Sequence, residues 1–208
     1  MSEDARLTAP AVARNRMAIL EQLQRHFPER GLVLEVASGS GEHIVHFAAA
    51  AGPHLLFQPS DPDPAARASI DAWARSLTDR RIRPAIALDA TSDRWPVDRA
   101  DVVVCINMTH ISPWAATLGL MRGAARVLPA GGTLFLYGPY RRGRQHTAPS
   151  NEAFDQDLRA RNPEWGVRDL EAVAAAAAAA GFEAPVVVEM PANNLSLVFG
   201  RGSAPGGG

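Results

Sequence analysis

Side chains able to take part in chemistry gather where apolar segments of strand length end. Glu35 stands in the run Leu-Val-Leu-Glu-Val of residues 32–36, which leads into the turn Gly39-Ser40-Gly41. Glycine lets the backbone take positive φ and lets a ligand come close, and the first amides of a following helix lack intrahelical partners. This strand, turn and helix start therefore favour a nucleotide-like ligand.

The next apolar segments along the chain also end in polar side chains. These are Asp61, Asp89, and Asn107 together with His110. The carboxyl ends of parallel strands meet at one edge of a sheet, where ligands of open α/β folds bind. There a carboxylate such as Asp61 can accept hydrogen bonds from a ligand. His110 is a candidate general base, because an unperturbed histidine titrates at a pH of about 6.5.

The elements that must position these residues alternate between strands and helices. We predict strands near 32–36, 55–57, 83–88, 101–106, 133–137, 186–189 and 195–199. We predict helices over 11–27, 42–51, 65–77, 113–127, 152–161 and 168–180, with a loop over 138–151. The last two strands are too close for a helical crossover and should form an antiparallel hairpin. The predicted fold class is α/β, with a Rossmann-like, seven-stranded, mostly parallel sheet and that antiparallel C-terminal hairpin.

Composition excludes several kinds of protein. The 208 residues, 47% of them hydrophobic, suffice for one domain, which we predict over 1–201 with a disordered tail over 202–208. A formal net charge of -1 argues against a nucleic-acid partner. The single Cys105 excludes an internal disulfide, and the absence of lysine excludes a lysine nucleophile.

The start of the chain is polar, and no apolar run approaches the roughly 18 residues of a membrane span. We therefore expect a cytoplasmic protein without a membrane partner. We also expect no metal site, although His43 and His46 have a helical spacing that a metal could use. Helix capping or packing is the other interpretation of that pair.

Two nucleotide-like ligands compete for the glycine turn. A dinucleotide fingerprint requires Gly or Ala three positions after Gly41, where this chain has Ile44. The arrangement instead resembles class I S-adenosylmethionine-dependent methyltransferases, in which the turn faces the methionine part of the cofactor. In that family an acid at the end of the second strand holds the ribose hydroxyls, and Asp61 occupies this position.

Longer motifs carry a closer resemblance. They are Arg14-Asn15, residues 37–43, 58–61, 105–114, 137–140, 146–151, 165–169 and 193–196. On these motifs the chain resembles, over about residues 8–201, an uncharacterised family that is catalogued as a domain of unknown function and includes methyltransferase-like protein 26. The resemblance implies the class I methyltransferase fold and S-adenosyl-L-methionine as cofactor, and it leaves the substrate open.

The resemblance also implies which residues hold the cofactor. They are Arg14, Asn15, Glu35, Ala37, Gly39, Gly41, Asp61, Asp89, Ala90 and Asn107. Glu35 and the glycines would line the methionine end and Asp61 the ribose, while Asp89 and Ala90 would line the adenine. Other interpretations remain: Glu35 could bind a local partner, and Asp61 could be a turn former.

The acceptor is expected beyond the fourth and fifth predicted strands. Candidate catalytic residues are His110, Tyr140 and Asn107, and candidate substrate-binding residues are His110, Trp114, Tyr140, His146, Asn151 and Asn194. His110 could instead fasten its loop, and Asn107 could simply end a strand. Arg141, Arg142 and Arg144 could hold a carboxylate or phosphate, although charge runs on loops are usually solvated.

The sequence thus predicts a methyltransferase that transfers a methyl group from S-adenosylmethionine to an oxygen or nitrogen of a small molecule, with His110 as base. The alternative is a non-catalytic protein that binds this cofactor and serves as a partner or regulatory subunit. We expect a small-molecule substrate and allow for a homodimer.

Overall fold

A computed structural model describes residues 5–77 and 80–202. The helices are α1 (Pro10–Leu23), α2 (Glu42–Ala50), α3 (Pro64–Ser76), α4 (Trp114–Val127), α5 (Pro149–Arg161) and α6 (Leu170–Ala179). The strands are β1 (Gly31–Val36), β2 (Leu55–Ser60), β3 (Val102–Ile106), β4 (Thr133–Gly138), β5 (Tyr140–Arg142), β6 (Gln145–His146), β7 (Arg168–Asp169), β8 (Val186–Met190) and β9 (Asn194–Gly200). Short 3-10 helices cover Gln24–His26, Met108–His110 and Pro191–Asn193.

The main sheet has six strands in the order β2-β1-β3-β4-β9-β8. The first four are parallel, whereas β9 runs antiparallel to both β4 and β8. This confirms a mostly parallel α/β sheet with an antiparallel C-terminal pair. The second strand of that pair, β9, lies inside the sheet and leaves β8 at the edge. Because β1, β2, β3 and β4 are parallel, the polar residues that follow them lie together at the carboxyl ends of these strands.

The prediction of seven strands in this sheet is wrong. The segment predicted as the third strand, 83–88, forms no regular strand and contributes the bridge Ser60↔Ile86, next to a bridge Phe57↔Ile82. Both bridges are parallel and lie beside β2, where a further strand would pair. The segment therefore follows the edge of the sheet without a continuous ladder.

A missing donor and one extra residue explain this interruption. Pro59 of β2 has no N–H to donate to the segment, and the two bridges are three residues apart on β2 (57 and 60) but four apart on the segment (82 and 86). The groups left over are bonded elsewhere. The Gln58 side chain donates to the Pro84 carbonyl at 2.9 Å, and the Asp71 carboxylate accepts the Ala85 N–H at 2.8 Å.

The predicted loop over 138–151 contains regular structure. Strands β6, β5 and β7 form a separate three-stranded sheet, and α5 begins at Pro149 rather than at 152. Arg141 pairs with Asp169 at 2.9 Å, and Arg142 pairs with Glu189 at 2.8 Å. These two arginines are thus held by carboxylates of the protein. Strands of two or three residues carry too little periodicity to show in a sequence.

Buried apolar residues cover both faces of the main sheet. One cluster includes Leu34, Val103, Leu136 and Phe199 and reaches α4 and α6, and the other includes Phe57 and reaches α1, α2 and α3. No helix within 5–77 or 80–202 is long and apolar enough to cross a membrane.

Helix ends follow their sequence signals. The Asp63 side chain caps α3 by accepting the Ala65 N–H at 2.9 Å. Gly181, at φ +89°, closes α6 as predicted. Of the tail predicted over 202–208, Gly202 donates to the Gly181 carbonyl, and 203–208 lie outside the described residues. The division into one domain over 1–201 stays a prediction.

Candidate functional site

The turn between β1 and α2 has the backbone that the glycines predict. Ala37, Gly39 and Gly41 all have positive φ, of 58°, 56° and 91°. A Cβ at Gly41 would lie 2.7 Å from the Ile70 Cα of α3, whereas a Cβ at Gly39 would meet nothing within 4 Å. Gly41 is therefore needed for packing of the helices, and Gly39 leaves open space above the turn.

This difference gives a matched pair of variants. Gly41→Ala is expected to lower the free energy of unfolding by about 2 kcal/mol or more, because strain at positive φ adds to the clash with α3. Gly39→Ala is expected to cost only about 1 kcal/mol, from the backbone strain alone. Urea unfolding of both variants checks this order. Equal losses would contradict the assignment of the packing role to Gly41.

Asp61 fastens the turn to the end of β2. Its Oδ2 accepts the Gly39 N–H at 3.0 Å, and its Oδ1 accepts the Asp63 N–H at 3.0 Å. Burial raises the pKa of Asp61, against these hydrogen bonds, which lower it. Each carboxylate oxygen keeps a second lone pair that a ligand can use. The turn-forming role and a ligand-binding role are thus compatible.

Glu35 is more deeply buried than Asp61, the carboxyl group at the end of β2. It lies on β1 with 2% of its surface exposed, and its Oε2 is buried without a hydrogen-bond partner. Burial raises the pKa of Glu35 to about 8; the negative charge of Asp61 adds to the shift, and the Ser38 hydroxyl opposes it. A buried carboxyl oxygen without a partner calls for a polar group from outside the chain.

The N-terminal helix α1 covers this end of the sheet. The His43 ring, in the first turn of α2, donates from Nε2 to the Asn15 Oδ1 at 2.9 Å. Asn15 is also a hydrogen-bonding neighbour of the Tyr137 hydroxyl at the end of β4. Just before α1, the Ala9 N–H donates to the Glu42 carboxylate at 2.7 Å. Asn15 thus connects the first turn of α2, which follows the glycine turn, to the end of β4.

A neighbouring cavity has a volume of about 330 Å³ and opens beside β3, β4 and the β8–β9 connection. Its walls come from α1, from the ends of β3 and β4, and from α5. The lining residues are Ala11, Arg14, Asn15, Ala18, Asn107, His110, Tyr137, Pro139, Asn151, Phe154, Pro191, Ala192 and Asn194. Six of the predicted site residues therefore come together here: Arg14, Asn15, Asn107, His110, Asn151 and Asn194.

Asn107 has a left-handed backbone conformation next to the cavity. It follows β3 with φ +62°, a conformation that asparagine takes more readily than other residues with a side chain. Its N–H donates to the Tyr137 carbonyl at 2.8 Å, which fixes this conformation. The residue type thus fits the turn that places Asn107 in the cavity lining.

His110 is held firmly at the cavity wall. It is 3% exposed, and its Nδ1 is buried without a partner. Burial, with a smaller effect of the positive Arg168, lowers the pKa of His110 to about 4, so the ring is neutral at pH 7. Arg168 also donates to the carbonyls of Thr109 and Ser112, at 3.0 and 2.7 Å, and so fastens the loop that carries His110.

Three of the predicted substrate-binding residues do not line the cavity. Tyr140 is fully buried in the core. Trp114 lies beneath the Arg168 guanidinium, 5.8 Å from the ring centre. The His146 ring lies 3.4 Å from the Asp155 carboxylate and helps to fix α5. We therefore do not propose direct contact of these side chains with a substrate.

The remaining predicted pair, Asp89 and Ala90, lies in a turn. The Asp89 carboxylate accepts hydrogen bonds from the N–H and hydroxyl of Thr91, both at 2.8 Å. Ala90 is buried, and a Cβ at Gly119 would lie 2.0 Å from its carbonyl oxygen. The loop is thus packed closely on α4, and its role toward a ligand stays a prediction.

The sequence analysis missed several residues of the cavity. Tyr137 and Phe154 line it, and so do Ala11 and Ala18, which share one face of α1 with Arg14 and Asn15. Positions 11, 14, 15 and 18 follow the i, i+3, i+4, i+7 spacing of a helix face. This spacing was visible in the sequence. The contribution of Phe154 was not, because it depends on how α5 folds back.

Three buried titratable groups predict how stability depends on pH. The folded pKa values of His43 and His110, each lowered to about 4, are below the ordinary 6.5, so protonation favours unfolding as the pH falls below 6.5. The folded pKa of Glu35, raised to about 8, makes its ionisation favour unfolding as the pH rises toward 8.

Stability should therefore be greatest near pH 6.5. Between pH 6.5 and 4.5 two histidines oppose one carboxyl, and above 6.5 the carboxyl acts alone, so these three groups contribute a loss of about 1.4 kcal/mol per pH unit on either side. Burial also lowers the pKa values of His26 and His46, which adds to the loss on the acid side. Chemical unfolding between pH 4.5 and 8 measures this. Glu35→Gln should flatten the alkaline side; an unchanged alkaline slope in this variant would contradict the assignment.

Comparisons with known proteins agree with this architecture. The family model described as "Protein of unknown function (DUF938)" matches residues 6–201. Among solved structures, the chain is similar to the S-adenosylmethionine-dependent methyltransferase SibL in its apo form, with 20% identity and a TM-score of 0.74 over 93% of this chain and 56% of that one.

Two further structures show the same likeness. One is an O-methyltransferase family protein from Burkholderia thailandensis, with 17% identity and a TM-score of 0.78. The other is human N-acetylserotonin methyltransferase in complex with SAM, with 14% identity and a TM-score of 0.71. Both matches cover 93% of this chain and 58% of the other. The chain spans less than three fifths of the length of these three proteins, and the likeness shows a shared fold.

Proposed function

Since the chain belongs to the DUF938 family, a family of unknown function, we propose that it is an S-adenosylmethionine-dependent methyltransferase acting on a small molecule. The observation that carries the proposal is the pairing of an open glycine turn, beside a buried carboxyl with an unpartnered oxygen, with a separate cavity. The structural neighbours named above include methyltransferases that use this cofactor.

The residues at the turn fit the cofactor. Glu35 has a buried Oε2 without a partner, and the α-ammonium of the methionine part is a cation that would complete it. Gly39 leaves open space above the turn for a ligand. The free lone pairs of Asp61 suit the two ribose hydroxyls. Asn107, at the border with the cavity, would lie between cofactor and acceptor.

The chemistry then divides between cofactor and protein. When bound, S-adenosylmethionine supplies a methyl group on a positively charged sulfur, and its transfer to an acceptor oxygen or nitrogen leaves a neutral thioether. The protein aligns the acceptor in the cavity, and this alignment supplies a large part of the acceleration. His110, neutral at pH 7, accepts the proton that the acceptor loses.

The cavity favours this enzyme over the non-catalytic alternative. A volume of about 330 Å³ lies at the small end of the roughly 300–1,000 Å³ of ligand pockets, and its lining combines apolar walls with a few polar groups. A subunit that only bound the cofactor would not need a second pocket beside it. The closer kinship with methyltransferase-like protein 26, a homodimer and a cytoplasmic location stay predictions.

Calorimetric titration with S-adenosylhomocysteine tests the proposal. We expect saturable one-site binding to the wild-type chain and weaker binding to Gly39→Ala. Absence of binding would overturn the proposal. Transfer of labelled methyl groups into a small-molecule extract then separates the enzyme from the non-catalytic alternative, with His110→Ala expected to lose turnover and keep the affinity for S-adenosylhomocysteine.

A further inference from the structure

We propose that the methyl acceptor is a small organic acid with hydroxyl or amino donors, and that Arg14 of α1 binds its carboxylate in the 330 Å³ cavity. This inference rests on the proposed function and names the substrate class for it. It also moves Arg14 from the cofactor, to which the resemblance assigned it, to the acceptor.

The charge of the cavity supports an anionic ligand. Arg14 is the one permanently charged residue in the lining, which contains no Asp or Glu among the described residues. Arg14 pairs with no carboxylate in the part of the chain that the structure describes, unlike Arg141 and Arg142. A planar guanidinium without a partner matches a carboxylate in shape and charge.

The side-chain amides that line the cavity favour a ligand with hydrogen-bond donors. The Asn151 side chain donates both hydrogens within the protein, to the Thr147 hydroxyl at 3.0 Å and the Asn193 carbonyl at 2.9 Å. The Asn194 side chain donates to the carbonyls of Pro191 and Ala192, at 3.1 and 3.2 Å. Each side chain is left with its carbonyl oxygen, which accepts from an O–H or N–H of a ligand.

The position of Arg14 separates it from the cofactor turn. The turn follows β1, whereas the cavity lies beyond it in the strand order, beside β3, β4 and β9. Asn15, next to Arg14, reaches back to His43 and marks the border between the two regions. Arg14 lines the cavity together with Ala11 and Ala18 of the same helix face. Arg14 therefore lies on the acceptor side of this border.

A substrate carboxylate in this cavity would also make His110 a stronger base. His110 lies in the same lining, and burial together with the positive charge of Arg168 disfavours its protonated form. A carboxylate nearby favours the imidazolium by charge attraction. The substrate would thus raise the basicity of the residue that takes its proton. A neutral acceptor of equal size offers no such help.

The test compares acids with their amides. With S-adenosylhomocysteine at saturation, the wild-type chain is titrated with salicylate and salicylamide, 4-hydroxybenzoate and 4-hydroxybenzamide, and lactate and lactamide. We expect at least one acid to bind about tenfold or more tightly than its amide, as a charge-assisted hydrogen bond requires. Equal binding within every pair, or no binding of any acid, would overturn the inference.

Two charge-matched variants assign the effect to Arg14. Arg14→Gln should abolish the preference for the acid and leave the affinity for S-adenosylhomocysteine within about twofold. Arg16→Gln removes the same charge from the same helix outside the cavity lining and should keep the preference. If Arg14→Gln weakens S-adenosylhomocysteine instead, Arg14 serves the cofactor and the inference is wrong.

Failure of the proposed function gives a different result. In that case the wild-type chain does not bind S-adenosylhomocysteine at all, whatever the acids do. The same acid and amide pairs are then titrated without it, and the comparison of Arg14→Gln with Arg16→Gln still decides whether the cavity selects an anion through Arg14.

Discussion

Replacing Asp61 with alanine is expected to weaken the binding of S-adenosylhomocysteine by about 10- to 150-fold. The range corresponds to the 1.5–3 kcal/mol of hydrogen bonds to a charged group. Asp61 has a binding role and a structural role. It would accept hydrogen bonds from the ribose hydroxyls, and it already accepts one from the Gly39 N–H at 3.0 Å. Its loss therefore removes a ligand contact and releases the turn that leaves room for the cofactor. Calorimetric titration measures the change.

Two other variants separate these roles. Asp61→Asn keeps one carbonyl oxygen for the Gly39 N–H but loses the acceptor of the Asp63 N–H, so it should retain the glycine turn at some cost in stability and lose part of the ribose contact. Asp63→Ala removes the cap of α3 and should cost about 1 kcal/mol of stability with little change in affinity. Full affinity in Asp61→Ala would mean that the acid is only a turn former.

The fold was largely predictable because its strongest signals are local. An almost continuous apolar run such as Val102–Ile106 is typical of a buried strand, and the glycine turn fixes where α2 begins. The exception is the segment 83–88, which is apolar enough for a strand. Whether it pairs depends on Pro59 in the facing strand and on the extra residue between the two bridges, and this register is a long-range property that no local pattern contains.

The candidate site was predictable in its residues more than in its arrangement. Asn107 and His110 follow a strand, so their place at the sheet edge follows from topology. Tyr140 also follows a strand, β4. Its side chain nevertheless packs into the core, because Tyr140 begins β5 of the second sheet. The low pKa of His110 comes mainly from burial and to a smaller extent from Arg168, which lies 58 positions away in the chain, and both exist only in the folded protein.

Glu35 gives the second prediction with a large effect, a pH dependence of cofactor binding. In the free protein burial raises the pKa of Glu35 to about 8, so the carboxyl is protonated at pH 6 to 7. A cationic ammonium beside it favours the carboxylate and lowers the pKa in the complex. Binding must then release a proton, and the affinity for S-adenosylhomocysteine should rise up to tenfold per pH unit between pH 6 and 7.5.

Calorimetry in two buffers of different ionisation enthalpy measures the protons released, and we expect close to one at pH 6.5. Glu35→Gln cannot release this proton, so its affinity should be nearly constant over the same range and lower than that of the wild-type chain at pH 7.5. Glu42→Gln is the matched control, because Glu42 lies at the same turn but bonds the Ala9 N–H and the Ser40 hydroxyl. It should keep the pH dependence. An affinity of the wild-type chain that does not change with pH would show that the ammonium does not meet Glu35, and the buried oxygen would then need another partner.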